Sequence, residues 1–518
     1  MKATPLLGAL NRLVVCAKML LLKLALAVTA VLFLSVIASV AGAENPIVLW
    51  AKTAGPAGAG GIALTPAGEL LVVEEQYPYP NAFVLKFNSE GSLVASNAFL
   101  GADVNAAAVH TNGAIYLTGW IGTNGTFNFP TEEGFFLAKY DENYNRLWVS
   151  TESPQPPGTI HRSYANRVVV DAQGNVYAGG VSQGPTTLGS TTFGDSSGTR
   201  PLFCKYDGSG NLVWAKRIEF WPSGQLDGGE VYDLAVDPSG NVLISGFMRE
   251  GTADFGGITV YPGSTGHSYD GDSFLAKYDP DGNLLWVQLG YTVGAVDRLG
   301  EIYAEFSWAV DGYAGMAKFD PAGGLLWSKT LPPGIGPGGM TLDPTDQPVF
   351  TGWFINTVTL DGITLQSRSI GWEDFYVAKA NTQGTIQWAV SGGGTEFDEG
   401  NSVLCDSLGN VYFSGIIRKD PGSFGAFPLT PAPGIPSYDP TLVVAKIAQE
   451  PSLKLVRSAQ NVALSWPVGA TNYVLEAATS LPAISWDAVT NNPTIGATER
   501  SVQLPITNSA KFFRLRSP

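Results

Sequence analysis

Two short modules alternate along most of this chain, and their repetition limits the fold more than any other feature of the sequence. The first module is AKYDENYNRLW at Ala138–Trp148, and it recurs as CKYDGSGNLVW at Cys204–Trp214. The second module is VDAQGNVYAGG from Val170, and its copies alternate with those of the first. Each module starts seven times along the chain. Self-similarity at a regular spacing is typical of an array of supersecondary units that stack on one another.

Each module predicts a strand, a tight turn and a second strand. Its centre is Asp-x-x-Gly-Asn or a close relative, in which Asp hydrogen-bonds to the downstream backbone and Gly supplies a positive φ. The flanks are β-branched, aromatic or alternating, as strands are. Two hairpins give four antiparallel strands per repeat. Seven such repeats predict an all-β fold, a seven-bladed β-propeller over residues 44–449.

The two ends of the repeat region complement each other. The seventh repeat contains Val443–Ile447 but lacks the tryptophan-bearing strand that follows in most other repeats. The segment Ile47–Lys52 (IVLWAK) is similar to LVWAK at Leu212–Lys216. We therefore expect the N-terminal strand to complete the last blade and to close the ring, which would remove exposed strand edges.

The pattern GNVYxxG followed by AKYDxxGNLLW resembles that of bacterial SBBP-type β-propeller repeat proteins, and Ala276–Trp286 is a clear example. The resemblance covers roughly Ile47 to Ala448, and repeats one, five and six depart from it most. It implies a secreted or surface propeller. It implies no particular reaction, because most members of the family have none assigned.

The N-terminal region has the pattern of an export signal. Basic residues without any acidic one precede an apolar run from Leu24 to about Val40, and Ala41-Gly42-Ala43 then supplies small residues for cleavage. This pattern predicts a signal peptide over residues 1–43, with an uncleaved membrane anchor as the alternative. We expect a secreted or cell-surface protein, and the pattern does not separate the periplasm from the outer surface.

Charge and composition limit the partners. The formal net charge is −15, and removing the basic signal peptide makes it more negative. An acidic surface repels phosphate backbones and anionic lipid, so we do not expect nucleic acid as a partner. No segment after the signal is apolar for long enough to span a bilayer. We expect a monomer whose partner is an extracellular protein or glycan.

The repeats stop at Glu450-Pro451, and residues 450–518 have a strand pattern of their own. The segments LSWP, YVLEAATSL and FFRLR resemble small fibronectin-III-like β-sandwiches at the C-termini of exported bacterial proteins. We expect Trp466 and Trp486 in the core of this domain. Surface attachment is one role for such a domain, and a spacer or cap is the alternative.

Propeller topology places the uniform tight turns on one face and the variable connections on the other, and variable loops on a repeated scaffold are where binding is usual. Trp120, Phe247 and Trp353 each follow a glycine of the second module and should approach the variable face. There they could stack on sugar rings. The alternative is that they pack between blades.

Acidic residues cluster in the connections that lead from one repeat to the next. Asp227, Glu230, Asp398 and Glu399 belong to this set, and they should lie near the mouth of a central channel. Clustered carboxylates suit Ca²⁺, but acidic loops on an acidic protein are typical of a solvated surface. The sequence predicts no other cofactor and no dedicated metal site.

Catalytic motifs do not occur in the sequence. The three histidines form no H-x-x-x-H or H-x-H pair, and neither a G-x-S-x-G elbow nor a phosphate loop is present. The sequence therefore favours a non-enzymatic exported scaffold that binds a protein or glycan on its variable loop face. Two alternatives stay open: a polysaccharide-active enzyme (glycoside hydrolase or lyase), whose carboxylate pair is defined only in space, and a purely structural envelope protein.

Overall fold

The computed structural model describes residues 46–76, 81–121, 134–153, 162–194, 198–221, 228–249, 252–261, 272–308, 313–431, 440–449, 453–458, 460–467, 473–480, 483, 485–496, 499–506 and 511–516. All regular elements in these residues are β-strands in small antiparallel sheets, which confirms the all-β prediction. The expected signal peptide over residues 1–43 lies outside them. Within this part of the chain, no helix is long and apolar enough to cross a membrane.

The chain divides into two compact units. One contains Asn45–Glu450 together with residues 467–469, and the other contains Pro451–Trp466 and Ala470–Pro518. The larger unit has seven sets of four strands in its described residues, which we number as sheets 1 to 7.

The strands of the first three sheets follow one another in chain order. Sheet 1 contains the second half of β1 (Pro46–Leu64), then β2 (Leu70–Gln76), β3 (Asn81–Phe87) and β4 (Leu93–Leu100). Sheet 2 contains β5 (Ala102–Val109), β6 (Ile115–Ile121), β7 (Gly134–Tyr140) and β8 (Arg146–Thr151). Sheet 3 contains β9 (Arg162–Val170), β10 (Val176–Gln183), β13 (Arg200–Tyr206) and β14 (Leu212–Arg217), and a separate hairpin of β11 (Thr186–Leu188) and β12 (Thr191–Phe193) connects β10 to β13.

The next two sheets continue the pattern. Sheet 4 contains β16 (Gly229–Val236), β17 (Val242–Met248), β20 (Asp272–Tyr278) and β21 (Leu284–Leu289). Beside it, β15 (Glu219–Trp221), β18 (Thr252–Asp254) and β19 (Thr259–Val260) form a small sheet. Sheet 5 contains β22 (Thr292–Val296), β23 (Ile302–Trp308), β24 (Tyr313–Phe319) and β25 (Leu325–Thr330).

The last two sheets complete the larger unit. Sheet 6 contains β26 (Ile335–Leu342), β27 (Pro348–Ile355), β30 (Glu373–Ala380) and β31 (Ile386–Gly393), with the hairpin of β28 (Thr357–Leu360) and β29 (Ile363–Gln366) between β27 and β30. Sheet 7 contains β32 (Glu399–Cys405), β33 (Val411–Arg418), β36 (Pro440–Gln449) and the first half of β1. A further hairpin, β34 (Gly422–Phe424) and β35 (Phe427–Leu429), pairs with β31 of sheet 6.

Strand β1 joins the first sheet to the last. Its first half pairs with β36, where Trp50 lies opposite Lys446 and Lys52 lies opposite Val444. Its second half pairs with β2, where Ile62 lies opposite Val72. The predicted pairing of the N-terminal strand with the seventh repeat is therefore confirmed.

The first strands of successive sheets contact one another in order, β1 with β5, β5 with β9, β9 with β16, β16 with β22, β22 with β26, β26 with β32, and β32 with β1. Each of them carries a β-bulge against its partner strand. At two of these bulges an asparagine reaches the next sheet: Asn105 Nδ2 donates to Ala165 O at 2.9 Å, and Asn166 Nδ2 donates to Val231 O at 2.8 Å. The bulges thus turn side chains toward the neighbouring first strand.

In five of the seven sheets, a tryptophan on the outer strand connects the sheet to the next one through a hydrogen bond. Trp148 Nε1 in sheet 2 donates to Gly208 O in sheet 3 at 3.2 Å, and Trp214 Nε1 in sheet 3 donates to Pro280 O in sheet 4 at 3.1 Å. The same bond recurs from Trp286 to Pro321, from Trp327 to Thr382, and from Trp50 to Ser89. The last of these joins sheet 7 to sheet 1.

Within the described residues, several of the longer connections contain short strands and turns. Leu188 of the first hairpin, Phe255 of the β18–β19 turn, Leu360 of β28 and Phe424 of β34 are all buried in the cores between sheets. Burial of these apolar side chains removes much of the variable length from the surface available for binding.

The smaller unit has two sheets around its own core. Strands β37 (Lys454–Arg457), β38 (Asn461–Pro467), β42 (Glu499–Pro505) and β41 (Thr494–Ile495) form one, and β40 (Asp487–Ala488), β39 (Val474–Ala478) and β43 (Phe512–Arg516) form the other. Trp466 is buried among Leu464, Leu475 and Val502, as expected. The expectation for Trp486 is wrong, because this side chain is half-buried and its ring lies 4.4 Å from the Arg514 guanidinium.

Candidate functional site

In each antiparallel sheet, the second strand ends and the third strand begins at the same end of the sheet. The fourth strand ends there too, and we call this end the connection face. The three aromatic residues predicted to approach this face lie in second strands. Trp120 is in β6, Phe247 in β17 and Trp353 in β27, and all three are half-buried. A Cβ on Gly336 of the paired strand would lie 2.5 Å from Trp353 Nε1, so this ring covers the backbone of its own sheet. Packing within the sheet therefore accounts for Trp353.

The predicted acidic residues fall into different environments. Asp227 lies outside the described residues. Glu230 and Glu399 belong to the first strands β16 and β32 rather than to connections, and both are half-buried. Glu230 accepts hydrogen bonds from Tyr164 Oη at 3.1 Å and Asn166 Nδ2 at 3.2 Å. The expectation of a solvated acidic surface is wrong for Asp398, which is fully buried.

Asp398 forms a buried carboxyl pair with Asp374, the second residue of β30. Asp398 accepts hydrogen bonds from Arg418 N at 3.0 Å and from Gly394 N, and Asp374 Oδ2 accepts one from Arg368 N at 3.1 Å. A Cβ on Gly393 would lie 2.8 Å from Asp398 Oδ2 and 2.9 Å from Asp374 Oδ1. The two carboxyl groups therefore face the same point, and only glycine leaves room for both.

Burial dominates the electrostatics of this pair. Desolvation raises the pKa of Asp374 to about 6, against the opposing effect of the Arg368 backbone N–H and guanidinium. Desolvation also raises the pKa of Asp398 to about 7, and the charge of Asp374 raises it further against two backbone N–H donors. Paired carboxylates whose pKa values lie near neutrality are a recognised mark of functional sites.

An exposed aromatic pair lies directly beside the carboxyl pair, and sequence reasoning missed it. Trp372, two residues before Asp374, is 37% exposed, and Phe397, one residue before Asp398, is 40% exposed. Their rings meet edge to face with centroids 4.7 Å apart. Ile370, two residues before Trp372, is 93% exposed. We call Ile370, Trp372 and Phe397 the aromatic patch.

One pattern in the sequence could have indicated the aromatic patch. The segments Trp372-Glu373-Asp374 and Phe397-Asp398-Glu399 each place an aromatic residue beside two carboxylates. They depart from the module consensus in two adjacent repeats. The contact between them depends on how the third strand of sheet 6 meets the connection to sheet 7.

A second charged group lies on the first strands of sheets 3 and 4 and on the second strand of sheet 5. Arg167 Nε is 3.3 Å from Asp233 Oδ1, and both side chains are about one-third exposed. Burial raises the pKa of Asp233, although Arg167 opposes this. Burial raises the pKa of Glu305 to about 8, and the charge of Asp233 contributes. Burial therefore favours the neutral form of the Glu305 carboxyl at neutral pH.

The arrangement has no features of a metal centre. In the portion of the chain that the structure describes, no three His, Cys, Asp or Glu side chains are grouped so as to hold a metal ion. The carboxyl pair is contacted instead by backbone N–H groups and by Arg368. These donors suit carboxylates and repel a cation.

Comparison with known proteins assigns no family. No family model matches the chain, and no curated protein matches it. Among solved structures, a protein of unknown function from Bacteroides caccae is similar over 57% of this chain and 81% of that chain, with 11% sequence identity and a TM-score of 0.29. A similarity this distant carries no functional argument.

Proposed function

We propose that this protein is an exported seven-bladed β-propeller of the SBBP type with a fibronectin-III-like C-terminal domain, and that it binds an extracellular glycan or protein on its connection face. The cyclic contacts of the first strands support the propeller. So does the hydrogen bond from Trp50 to Ser89, which joins the last sheet to the first. Export rests on the signal-like pattern of residues 1–43.

The aromatic patch carries the binding proposal. Monomeric proteins bury most large apolar side chains, and exposed ones that are grouped mark interaction sites. Trp372 and Phe397 hold each other in a defined geometry, so little side-chain freedom is lost on binding. The patch lies at the junction of sheets 6 and 7, where two connections meet.

A glycan is the ligand class that suits this patch best. Aromatic rings offer apolar surface for the C–H faces of sugars, and hydroxyl groups need donors and acceptors nearby. Glu373 and Glu399 border the patch in sequence, and Arg368 donates through its guanidinium to Ser423 on the neighbouring hairpin. Apolar stacking with charged groups at its edge is the combination that saccharides require.

The proposal is tested by a glycan array with the mature chain. Replacing both Trp372 and Phe397 by Ala should weaken binding about tenfold or more, as removal of a central aromatic anchor does. The control replaces Leu299 and Leu408 by Ala, because these are exposed apolar side chains on the tight turns. Equal binding by both double variants would contradict a role for the patch. Absence of glycan binding, with patch-dependent binding to an extracellular protein, would support the protein form of the proposal instead.

The polysaccharide-active enzyme is a second candidate because Asp374 and Asp398 resemble a paired acid and base. Their exposure argues against it: Asp374 is 1% exposed and Asp398 is 0% exposed. A glycosidase needs both carboxyl groups in contact with the sugar. If the wild-type chain released sugars from polysaccharide and Asp374→Asn did not, the non-enzymatic proposal would be wrong.

A further inference from the structure

The members of the buried carboxyl pair lie next to those of the aromatic patch in the chain. Trp372 and Asp374 are next but one in the chain, and Phe397 and Asp398 are adjacent. The main-chain N–H of Asp398 donates to Glu373 O at 2.9 Å, which fixes the connection before sheet 7 to the start of β30. The position of each aromatic ring therefore depends on the position of one carboxyl group.

The hydrogen bonding of the pair is incomplete without a proton. Three carboxyl oxygens accept backbone N–H groups, namely Asp374 Oδ2, Asp398 Oδ1 and Asp398 Oδ2. Among the described residues, Asp374 Oδ1 is buried and has no hydrogen-bond partner. This oxygen and Asp398 Oδ2 face the same point next to Gly393. A proton on Asp374 Oδ1, shared with Asp398, would satisfy the unpaired oxygen and remove a repulsion between like charges.

We propose that the Asp374–Asp398 pair is a proton-controlled support for the aromatic patch, which orders Trp372 and Phe397 for ligand binding in acid and loosens them in alkali. The control of ligand binding by pH rests on the proposed function. The response of Trp372 and Phe397 to pH does not depend on that function. The step is a proton dissociation in which the shared proton passes to water and leaves two carboxylates in a buried space.

The charged groups around Asp374 and Asp398 do not cancel the response of this pair to pH. Arg368 lies beside Asp374 and favours its ionised form, and the charge of Arg368 also acts on Asp398. Glu373 and Glu399 raise the negative potential near β30, where Arg418 opposes them. Farther out, Lys419 is paired with Glu396 at 3.2 Å, and Asp420 accepts a hydrogen bond from Thr395 Oγ1.

The sign of the pH effect follows from the direction of the two shifts. Both folded pKa values, about 6 and about 7, lie above the value of about 3.9 for Asp in an unfolded chain. The folded pair therefore holds more protons than the unfolded chain between those values, so stability falls as pH rises across this range. Above about pH 7 both carboxyl groups are mainly ionised, and their repulsion pushes the connection carrying Phe397 away from β30.

Fluorine NMR of the full chain labelled with 5-fluorotryptophan tests the response directly. The Trp372 signal is assigned from its absence in Trp372→Phe. It should shift with a midpoint between about pH 6 and 8, and in Asp398→Asn it should not titrate in this range. The matched control is Glu396→Gln, which removes a carboxylate from the same connection outside the buried pair and should titrate as the wild type does.

Two results of this experiment would overturn the proposal. A Trp372 signal that does not move between pH 5 and 9 overturns it, as does a shift that persists unchanged in Asp398→Asn. If Asp398→Asn does not fold, Asp374→Asn replaces it, because an amide there can still donate to Asp398. Where a glycan ligand is found, its affinity should fall about tenfold from pH 5.5 to pH 8.5 in the wild type only. A titrating Trp372 without any ligand would refute the proposed function and leave the switch standing.

Discussion

Where a first-module turn faces a tryptophan of the preceding sheet, its glycine serves that sheet as well as its own. Gly210 has φ of +88°, which the turn needs, and a Cβ there would also lie 2.7 Å from the Trp148 ring of the preceding sheet. Gly323 stands in the same relation to Trp286, at 2.9 Å. By contrast, a Cβ on Gly174 of a second-module turn would contact nothing within 4 Å. The glycine of the first module is thus required by an inter-sheet contact that a local turn argument does not reveal.

Trp388 has the same place in sheet 6 as Trp214 has in sheet 3, but its indole lacks the usual acceptor. Trp214 Nε1 donates to Pro280 O at 3.1 Å. Trp388 Nε1 is buried with no partner among the described residues. The reason is that sheet 7 takes its outer strand from the N-terminus, so the turn that would supply a carbonyl is missing.

Replacing Trp214 by Phe should therefore include a hydrogen-bond loss that replacing Trp388 by Phe lacks. Loss of this bond in Trp214→Phe should lower the free energy of unfolding by about 1 kcal/mol in addition to the loss of ring packing. Trp388→Phe removes an unsatisfied donor, so only its packing loss should remain. Urea unfolding of the two variants measures both losses. A Trp214→Phe loss no larger than its packing change accounts for would show that the hydrogen bond contributes nothing.

At the scale of elements, β1 is the strand on which two sheets depend. Its first half supplies the outer strand of sheet 7, and its second half supplies the first strand of sheet 1. Trp50 is 6% exposed and packs with Leu70, Leu442 and Val444, which belong to both sheets. Leu49, its neighbour in the chain, is 46% exposed.

We expect deletion of Ile47–Lys52 to lower the thermal midpoint sharply and to promote oligomers, because β36 would lose its partner and expose an edge. Trp50→Ala should cost about 3–5 kcal/mol, as loss of a buried aromatic side chain does. Leu49→Ala is the control and should cost less than about 0.5 kcal/mol. Calorimetry and size-exclusion chromatography measure the two effects. An unchanged midpoint after the deletion would count against closure by the N-terminal strand.

At the scale of the whole molecule, the two compact units have separate cores. Residues Leu464, Trp466, Leu475 and Val502 form the core of the smaller unit, whereas the cores of the larger unit lie between its sheets. Removal of residues 451–518 should therefore leave the thermal midpoint of the larger unit within a few degrees of that in the full chain. Differential scanning calorimetry tests this. A large drop after truncation would mean that the larger unit needs the smaller one to fold.

Much of the fold could be predicted from the sequence because its signals are local. The turn at Asp171 is an example: Asp171 Oδ1 accepts from Gln173 N at 2.9 Å and from Asn175 N at 2.8 Å, within five residues of the chain. The N-terminal strand could be assigned to the last repeat because its sequence, IVLWAK, is similar to the tryptophan-bearing strand that this repeat lacks. The partial burial of Trp120, Phe247 and Trp353 could not be predicted in this way, because exposure depends on the strands packed around them.

The sequence by itself determined the strands, the turns and the pairing of the two chain ends, since each is encoded within a module or by a match between modules. Only the tertiary structure brought Trp372 to Phe397 and Asp374 to Asp398. These contacts join the start of one strand to a connection after the next strand, and no local pattern records that distance. Burial then set the protonation of the acid pair, because solvent access belongs to the assembled sheets and not to any segment alone.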